Sequence, residues 1–255
     1  MINSTHIVRL RILPTILFLA LSSSAVFSQD ARSPVGTWEL AIARPQRDAK
    51  ETGTVFLTFN TDKTLAGYGF TTGSFGVFTL TGTWDLDPGG RLKGNYTQVE
   101  FDNSLDATFV GRATAGKKLE MNAEGILGAF KYRGAPMGTL PDISGSWNSV
   151  VTRVGVKGRI SEAYQFTNSV QFPGVFGIIG SGTNANRSFA ISGMGIVTSK
   201  NEVTAITQND FGGDELTGDF FTGKFRPGKH TIGLLGDEAA GIDPTIPVRA
   251  RLSRP

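Results

Sequence analysis

Residues 34–40 read Pro-Val-Gly-Thr-Trp-Glu-Leu, and residues 142–148 repeat that pattern more loosely as Asp-Ile-Ser-Gly-Ser-Trp-Asn. Phenylalanines further along match in the same order, about 110 residues apart: Phe59 with Phe166, Phe78 with Phe189, and Phe109 with Phe221. Ordered matches at one spacing are typical of an internal duplication. We therefore predict a first repeat at 34–136 and a second at 142–255, separated by a linker rich in proline and glycine.

Apolar and polar residues alternate along most of each repeat, most clearly where Phe78, Leu80, Gly82, Trp84 and Leu86 share one face. A period of two is the pattern of a half-buried strand. About eight such segments with hairpin-length links fit each repeat, and an open sheet of that size would leave two unprotected edges. We predict an all-β chain of two tandem eight-stranded up-and-down antiparallel β-barrels, with few or no helices after the N-terminal segment. One large barrel or sandwich shared by both repeats is the alternative.

The first 28 residues have the features of a secretory signal peptide. Arg9 and Arg11 precede an apolar run over 12–20, and small residues follow it. We expect an exported protein, periplasmic or secreted, with no transmembrane segment in the mature chain. Without those two arginines the formal net charge falls from +3 to +1, which offers no electrostatic basis for binding nucleic acid. Cysteine is absent, which excludes disulfides and thiol chemistry.

The Gly36-Thr37-Trp38 triplet resembles the Gly-x-Trp signature of lipocalin-like (calycin) β-barrels, and Gly145-Ser146-Trp147 repeats it. Segments 59–65 and 82–86 are similar to parts of small bacterial members of that family, which suggests a tandem duplication in an exported bacterial protein. The resemblance implies a structural role for Gly36, Trp38, Gly145 and Trp147, with each tryptophan closing the bottom of a barrel. It also implies an arginine late in each barrel that stacks on the tryptophan, for which the candidates are Arg133 and Arg249. It implies small apolar ligands as a class, although the family includes inhibitors and proteins with no known ligand.

Aromatic residues are the candidates for ligand binding. We predict that a cavity in the first barrel is lined by Tyr68, Phe70, Phe78, Trp84 and Tyr96; an ordinary filled core is the alternative. In the second repeat Gly195 stands where the first has Trp84, and small Ser192 and Gly193 lie beside it. This replacement predicts a pocket in the second barrel.

Few residues suit catalysis or metal binding. His230 is the one histidine after the signal peptide, and its position beside a turn predicts solvent exposure. The acidic group Asp210, Asp214, Glu215 and Asp219 is interpreted as a solvated hairpin turn rather than a Ca²⁺ loop or a catalytic pair. We therefore predict no enzymatic activity, no catalytic residue, no cofactor and no metal site.

Two functions follow from these observations. The first is an exported, non-enzymatic β-barrel protein that binds a small apolar ligand. The alternative is a structural or protein-interaction role, as an inhibitor or envelope protein, with solid barrels that present loops to a partner. The segment from Arg44 to Gly53, predicted to be the longest loop of the first repeat, is the candidate contact.

Overall fold

A computed structural model shows an all-β chain that forms two closed eight-stranded antiparallel barrels. The structure describes residues 33–45, 50–71, 77–100, 103–114, 116–126, 128–155, 158–184, 187–212, 216–239 and 246–255. The predicted signal peptide, residues 1–28, lies outside the described residues. Within the described ranges, no helix is long and apolar enough to cross a membrane.

The first barrel is an up-and-down arrangement in which each strand pairs with the next and β8 pairs with β1. Its strands are β1 (Gly36–Pro45), β2 (Lys50–Phe59), β3 (Thr64–Thr71), β4 (Phe78–Leu86), β5 (Leu92–Glu100), β6 (Asn103–Thr114), β7 (Lys118–Gly125) and β8 (Gly128–Pro136).

The second barrel repeats this order and closes by pairing β16 with β9. Its strands are β9 (Gly145–Arg153), β10 (Ile160–Asn168), β11 (Val175–Asn184), β12 (Arg187–Val197), β13 (Glu202–Asp210), β14 (Leu216–Arg226), β15 (Thr231–Ala239) and β16 (Ile246–Ser253). One turn of 3-10 helix, Pro227–Lys229, links β14 to β15.

The prediction of a loop from Arg44 to Gly53 is wrong. The backbones of β1 and β2 pair as far as Pro45 and Lys50, so that only residues 46–49 connect them. Backbone pairing needs no apolar side chain, and the polar composition of this hairpin therefore concealed its strands. Residues 46–49 themselves lie outside the described residues.

Each barrel encloses its own apolar core. Trp38 pairs with Leu57 in the first barrel as Trp147 pairs with Tyr164 in the second, so the two repeats have equivalent registers. Because successive side chains of a strand point to opposite faces, this register fixes which residues of each repeat point inward.

A third apolar cluster lies between the barrels. It joins Phe56 and Phe70, on the outer wall of the first barrel, to Val175 and Ile196 of the second. Phe56 and Phe70 are 1% and 0% exposed although they point away from their own barrel's interior. Two outer walls therefore cover each other.

Polar contacts reinforce the junction between the barrels. The Tyr68 hydroxyl donates a hydrogen bond to the Pro173 carbonyl oxygen at 2.7 Å. The Ser199 N–H donates to the Glu39 carboxylate, also at 2.7 Å. The two barrels are therefore in direct contact, through apolar side chains and through hydrogen bonds.

Candidate functional site

The two Gly-x-Trp tryptophans are buried near the start of the first strand of each barrel. Trp38 and Trp147 are 2% and 1% exposed. Each indole Nε1–H donates to a carbonyl oxygen four residues earlier, that of Pro34 at 2.5 Å and that of Ile143 at 2.9 Å. Gly36 and Gly145, two residues before each tryptophan, have φ of 120° and 109°, a region that favours glycine.

An arginine stacks on the second of these tryptophans, but it is not the predicted one. The Arg254 guanidinium lies 5.1 Å from the Trp147 ring centre and donates to the carbonyl oxygen of Ser144 at 3.0 Å. The candidate Arg249 points outward from β16 and is exposed. The candidate Arg133 is also exposed and faces Glu120 at 3.4 Å. Arg254 follows the last strand, where strand alternation gives no guide to side-chain direction.

Three of the five predicted ligand-binding residues lie inside the first barrel, and they are packed. Phe78, Trp84 and Tyr96 belong to its core and are at most 4% exposed. The Trp84 ring meets Phe59 edge-on at 5.8 Å, and its Nε1–H donates to the Asn60 carbonyl oxygen.

Tyr96 pairs with a second tyrosine inside the same core. Its hydroxyl lies 2.7 Å from that of Tyr132. Burial raises the pKa of Tyr96, and the hydrogen bond from Tyr132 partly opposes that shift.

The other two, Tyr68 and Phe70, do not point into the barrel, and the prediction that they line its interior is wrong. On β3 the inward positions are occupied by Gly67 and Gly69, where an added Cβ would lie 2.7 Å from Leu57 Cδ1 and 2.8 Å from Val55 Cγ2. Tyr68 and Phe70 alternate with these glycines and belong to the cluster between the barrels. Burial there raises the pKa of Tyr68 to about 12.

The prediction that Gly195 opens a pocket is wrong as far as the described residues show, because an aromatic ring from a neighbouring strand fills the space over it. A Cβ on Gly195 would lie 2.5 Å from Cζ of Phe176, which pairs with it across β11 and β12. Phe176 is 0% exposed and its ring centre lies 5.1 Å from that of Phe166. The first barrel places Trp84 on the fourth strand, whereas the second places Phe176 on the third.

The cavities found among these core residues are small. One in the second barrel, lined by Tyr164, Thr207 and apolar neighbours, has a volume of about 10 Å³. One in the first barrel, near Tyr96 and Phe130, also has about 10 Å³. A volume of this size holds at most one water molecule.

The second barrel nevertheless contains a group of buried polar side chains, which we call the inner polar cluster: Ser149, Glu162, Tyr164, Thr207, Asn209 and Asp219, each at most 7% exposed. Backbone pairing places Ser149 opposite Glu162 on β9 and β10, and Thr207 opposite Asp219 on β13 and β14. Ser149 and Glu162 lie one step further along β9 and β10 than the pair formed by Trp147 and Tyr164, on the side away from Gly145.

Hydrogen bonds and charge link the cluster across the barrel. The Tyr164 hydroxyl donates to Glu162 Oε2 at 2.5 Å, and Asn209 Nδ2 donates to Asp219 Oδ2 at 2.7 Å. Burial raises the pKa of Tyr164 well above its ordinary value, and the charges of Glu162 and Asp219 raise it further, while Ser149 acts in the opposite direction. Ser149 Oγ still has no hydrogen bond of normal geometry, and neither has Thr207 Oγ1 or Asn209 Oδ1.

The equivalent positions of the first barrel are mostly apolar. Leu40 pairs with Val55 where the second barrel pairs Ser149 with Glu162. Ala107, paired with Tyr96, takes the place of Asp219. Barrel closure does not require carboxylates at these positions, because the first barrel closes without them.

The sequence-based interpretation of Asp219 as part of a solvated turn is wrong. Asp219 is 6% exposed and lies on the same face of β14 as buried Phe221, while Asp210 is exposed on β13. Asp214 and Glu215 lie outside the described residues. The signal that could have revealed the cluster was strand periodicity, which places Glu162 on one face with Ile160, Tyr164 and Phe166, and Asp219 on one face with Phe221.

Other candidate chemistry lies at the surface. His230 is exposed, at the end of the 3-10 turn with φ of 47°. No three His, Cys, Asp or Glu residues of the described part of the chain are grouped so that they could hold a metal ion.

Two open grooves run along the outer wall of β5–β7 of the first barrel. One, of about 390 Å³, is lined by Val110, Arg112, Glu120 and neighbours. The other, of about 430 Å³, is lined by polar residues that include Asn95, Asp106 and Glu124.

Comparison with known proteins does not identify a function for this chain. No protein-family model and no curated protein matches the chain. Among solved structures, a candidate outer membrane protein from Bacteroides fragilis is similar at 15% identity and a TM-score of 0.29, over 86% of this chain and 96% of its own. A protein of unknown function from the DUF3598 family of Nostoc punctiforme matches at 11% identity and a TM-score of 0.27, over 86% and 95%. We draw no functional argument from likenesses at these scores.

Proposed function

We propose that the chain is an exported, non-enzymatic protein that acts by presenting the outer surface of a rigid pair of solid barrels to a protein partner. The observation that carries this proposal is the packing of both interiors, whose cavities near Tyr96 and Tyr164 hold about 10 Å³ each. A drug-sized ligand needs a pocket of roughly 300 Å³ or more. An apolar ligand inside either barrel would have to displace several packed aromatic side chains.

The proposed relationship to lipocalin-like barrels is supported by the contacts of Trp147 in the second barrel. There Trp147 donates to a backbone carbonyl and lies under the Arg254 guanidinium, as that family's pattern implies. Export is supported by the signal-like residues 1–28. The absence of an enzymatic role is supported by sequence, because one histidine remains after that segment and histidine is the commonest general base.

The surface best placed for a partner is the outer wall of β5–β7. The first barrel meets the second through outward residues of β2 and β3, and β6 and β7 stand on the opposite side of the ring. Val110 on β6 is 38% exposed and lines the groove of about 390 Å³ beside Arg112 and Glu120. Non-obligate protein interfaces are about as apolar as the rest of a protein surface, so a largely polar wall suits one.

Two measurements test the proposal. Titration of the purified protein with a panel of lipophilic molecules, followed by tryptophan fluorescence, is expected to show no saturable change. Photo-crosslinking in the native host from position 110 is expected to give one adduct of discrete mass. The matched control is position 179, because Ile179 is more exposed, at 63%, but lies on the outer wall of the second barrel. Saturable quenching, or equal crosslinking from both positions, would refute the proposal.

A further inference from the structure

Basic side chains are grouped on the outer wall of the first barrel. Arg112 on β6 pairs with Glu120 on β7, which in turn pairs with Arg133 on β8. Lys131, two residues before Arg133, is exposed beside them. Lys118 contacts the Glu120 carboxylate at 3.0 Å and Arg133 contacts it at 3.4 Å. Glu120 is therefore already engaged, and the group has a surplus of positive charge.

The second barrel has a basic group in the same arrangement. Lys224 on β14 pairs with Gly233 on β15, which pairs with Arg251 on β16. Arg249, two residues before Arg251, is also exposed. Glu202 lies opposite Lys224 on β13, but the two form no salt bridge.

Strand register shows that the two groups occupy equivalent positions. Arg133 pairs with the residue three positions after Trp38, and Arg251 pairs with the residue three positions after Trp147. We call each group a basic wall, and the equivalent residues are Arg112 with Lys224, Lys131 with Arg249, and Arg133 with Arg251. Barrel closure does not explain these cations, because substitutions at exposed positions usually change stability little. The chain after residue 28 has a formal net charge of only +1, so the basic walls are local features.

Most of these cations have no acidic partner within the protein. Within the described ranges, no salt bridge is formed by the side chains of Arg112, Lys131, Lys224, Arg249 and Arg251. A guanidinium group presents a planar fork of N–H donors that matches the two oxygens of a carboxylate. The basic walls are therefore complementary in charge and in geometry to carboxylate groups of another molecule.

Each basic wall also offers open space and exposed aliphatic side chains. The groove of about 390 Å³ runs beside Arg112, and Val110 in it is 38% exposed. In the second barrel nothing lies within 4 Å of a Cβ added to Gly233. Leu235 and Val150, which pair with members of the second basic wall, are 61% and 44% exposed. A ligand that covers these surfaces needs apolar groups as well as negative charge.

We propose that each basic wall binds an extended acidic segment of a protein partner, in which aliphatic side chains lie between the carboxylates. This inference rests on the proposed function, and it adds the charge of the partner and a second, equivalent site on the other barrel. A flat anionic lipid surface fits less well, because the outer wall of a closed barrel is convex and each basic wall spans three of its eight strands. A flexible peptide can follow that curvature.

The first test is a titration of the isotope-labelled full chain with a short synthetic peptide of glutamate and leucine, followed by NMR. We expect amide shifts on β6–β8 and on β14–β16, which high salt suppresses because it screens exposed charges. The control peptide has glutamine in place of glutamate and should produce no shifts. Absence of shifts with the acidic peptide, shifts on one barrel alone, or tighter binding to phosphatidylglycerol vesicles than to the peptide would overturn the proposal.

Charge-matched double variants assign the two sites. Each replaces two exposed cations, and the pairs are Arg112→Gln with Arg133→Gln, Lys224→Gln with Arg251→Gln, and, as the control outside both basic walls, Arg159→Gln with Lys200→Gln. We expect each of the first two to weaken peptide binding at its own barrel by a factor of about 2 to 30, since an exposed ion pair contributes about 0.2–1 kcal/mol. Binding that these variants weaken no more than the control does would overturn the proposal.

Photo-crosslinking from position 110 separates this inference from the function on which it rests. The adduct expected of the wild type should become weaker when Arg112→Gln and Arg133→Gln are introduced. An adduct of unchanged yield would leave the partner surface in place and overturn its recognition by charge. Absence of any adduct from the wild type would instead refute the proposed function.

Discussion

Replacing Phe176 by alanine should open the second barrel at the position where the sequence alone predicts a pocket. Phe176 is 0% exposed, packs 5.1 Å from Phe166 and fills the space over Gly195. Truncating a buried phenylalanine costs about 3–5 kcal/mol, and we expect the upper part of that range. The reason is that Gly195 has no side chain that could relax into the gap.

A double-mutant cycle sharpens this prediction. A methyl group on Gly195 would lie 2.5 Å from Phe176 Cζ and also 2.5 Å from the Thr204 carbonyl oxygen. Gly195→Ala should therefore destabilise the protein, and should do so less in the Phe176→Ala background, where one of the two clashes is gone. Gly233→Ala is the control, because nothing lies within 4 Å of a Cβ there.

The assay is equilibrium unfolding in urea followed by tryptophan fluorescence, in which Trp147 reports on the second barrel and Trp38 and Trp84 on the first. The Phe176→Ala variant should also bind small apolar probes that the wild type does not bind. A cost below about 1 kcal/mol would show that Phe176 does not fill the interior and would refute the reasoning.

Two further substitutions test the junction between the barrels and the segment that leads into β9. Tyr68→Phe removes the hydrogen bond to the Pro173 carbonyl and should cost about 0.5–1.5 kcal/mol in urea unfolding; an unchanged midpoint would mean that the hydroxyl does not hold the barrels together. The side-chain hydrogen bond from Ser144 lowers the pKa of Asp142 below 3.8, so its stabilisation is present above that pH and is lost as the pH falls through the folded-state pKa. Between about pH 5 and pH 2, Asp142→Asn should therefore lose less stability than wild type, and equal losses would contradict this assignment.

The architecture could be predicted because strand alternation and the repeated Gly-x-Trp triplets are local signals. The segment from Phe78 to Leu86 has five inward residues in strict alternation, and the structure confirms two closed eight-stranded barrels. Closure follows from alternation and strand number, and neither requires knowledge of distant contacts.

The direction of Tyr68 and Phe70 could not be predicted from the same signals. Their strand has glycine at its inward positions and aromatic residues at its outward ones, so the larger side chains suggested the wrong face. Apolar residues point outward here because a second barrel covers them. That contact joins residues more than a hundred positions apart, as in the Tyr68–Pro173 hydrogen bond, and no local pattern encodes it.

Gly195 shows a different limit of sequence reasoning. Comparing the repeats position by position predicts a missing ring where Trp84 becomes glycine. A close-packed core requires that its volume be filled, but it does not require the same residue at the same position in both repeats. In the second barrel Phe176 on the adjacent strand supplies the ring instead. The buried Asp219 was missed for a related reason. Its acidic neighbours along the chain suggested a solvent-exposed turn, although its position on the strand places it on the same face as buried Phe221.

A crystal of the protein pressurised with xenon tests most directly whether the barrels are solid. Xenon enters apolar cavities of the size that a ligand-binding barrel requires and is excluded from packed cores. Interiors whose cavities near Tyr96 and Tyr164 hold about 10 Å³ should contain no xenon in either barrel. A xenon atom inside the first barrel beside Phe78 and Trp84, or inside the second beside Phe176, would show a ligand-sized cavity and contradict the proposal that function lies at the outer surface.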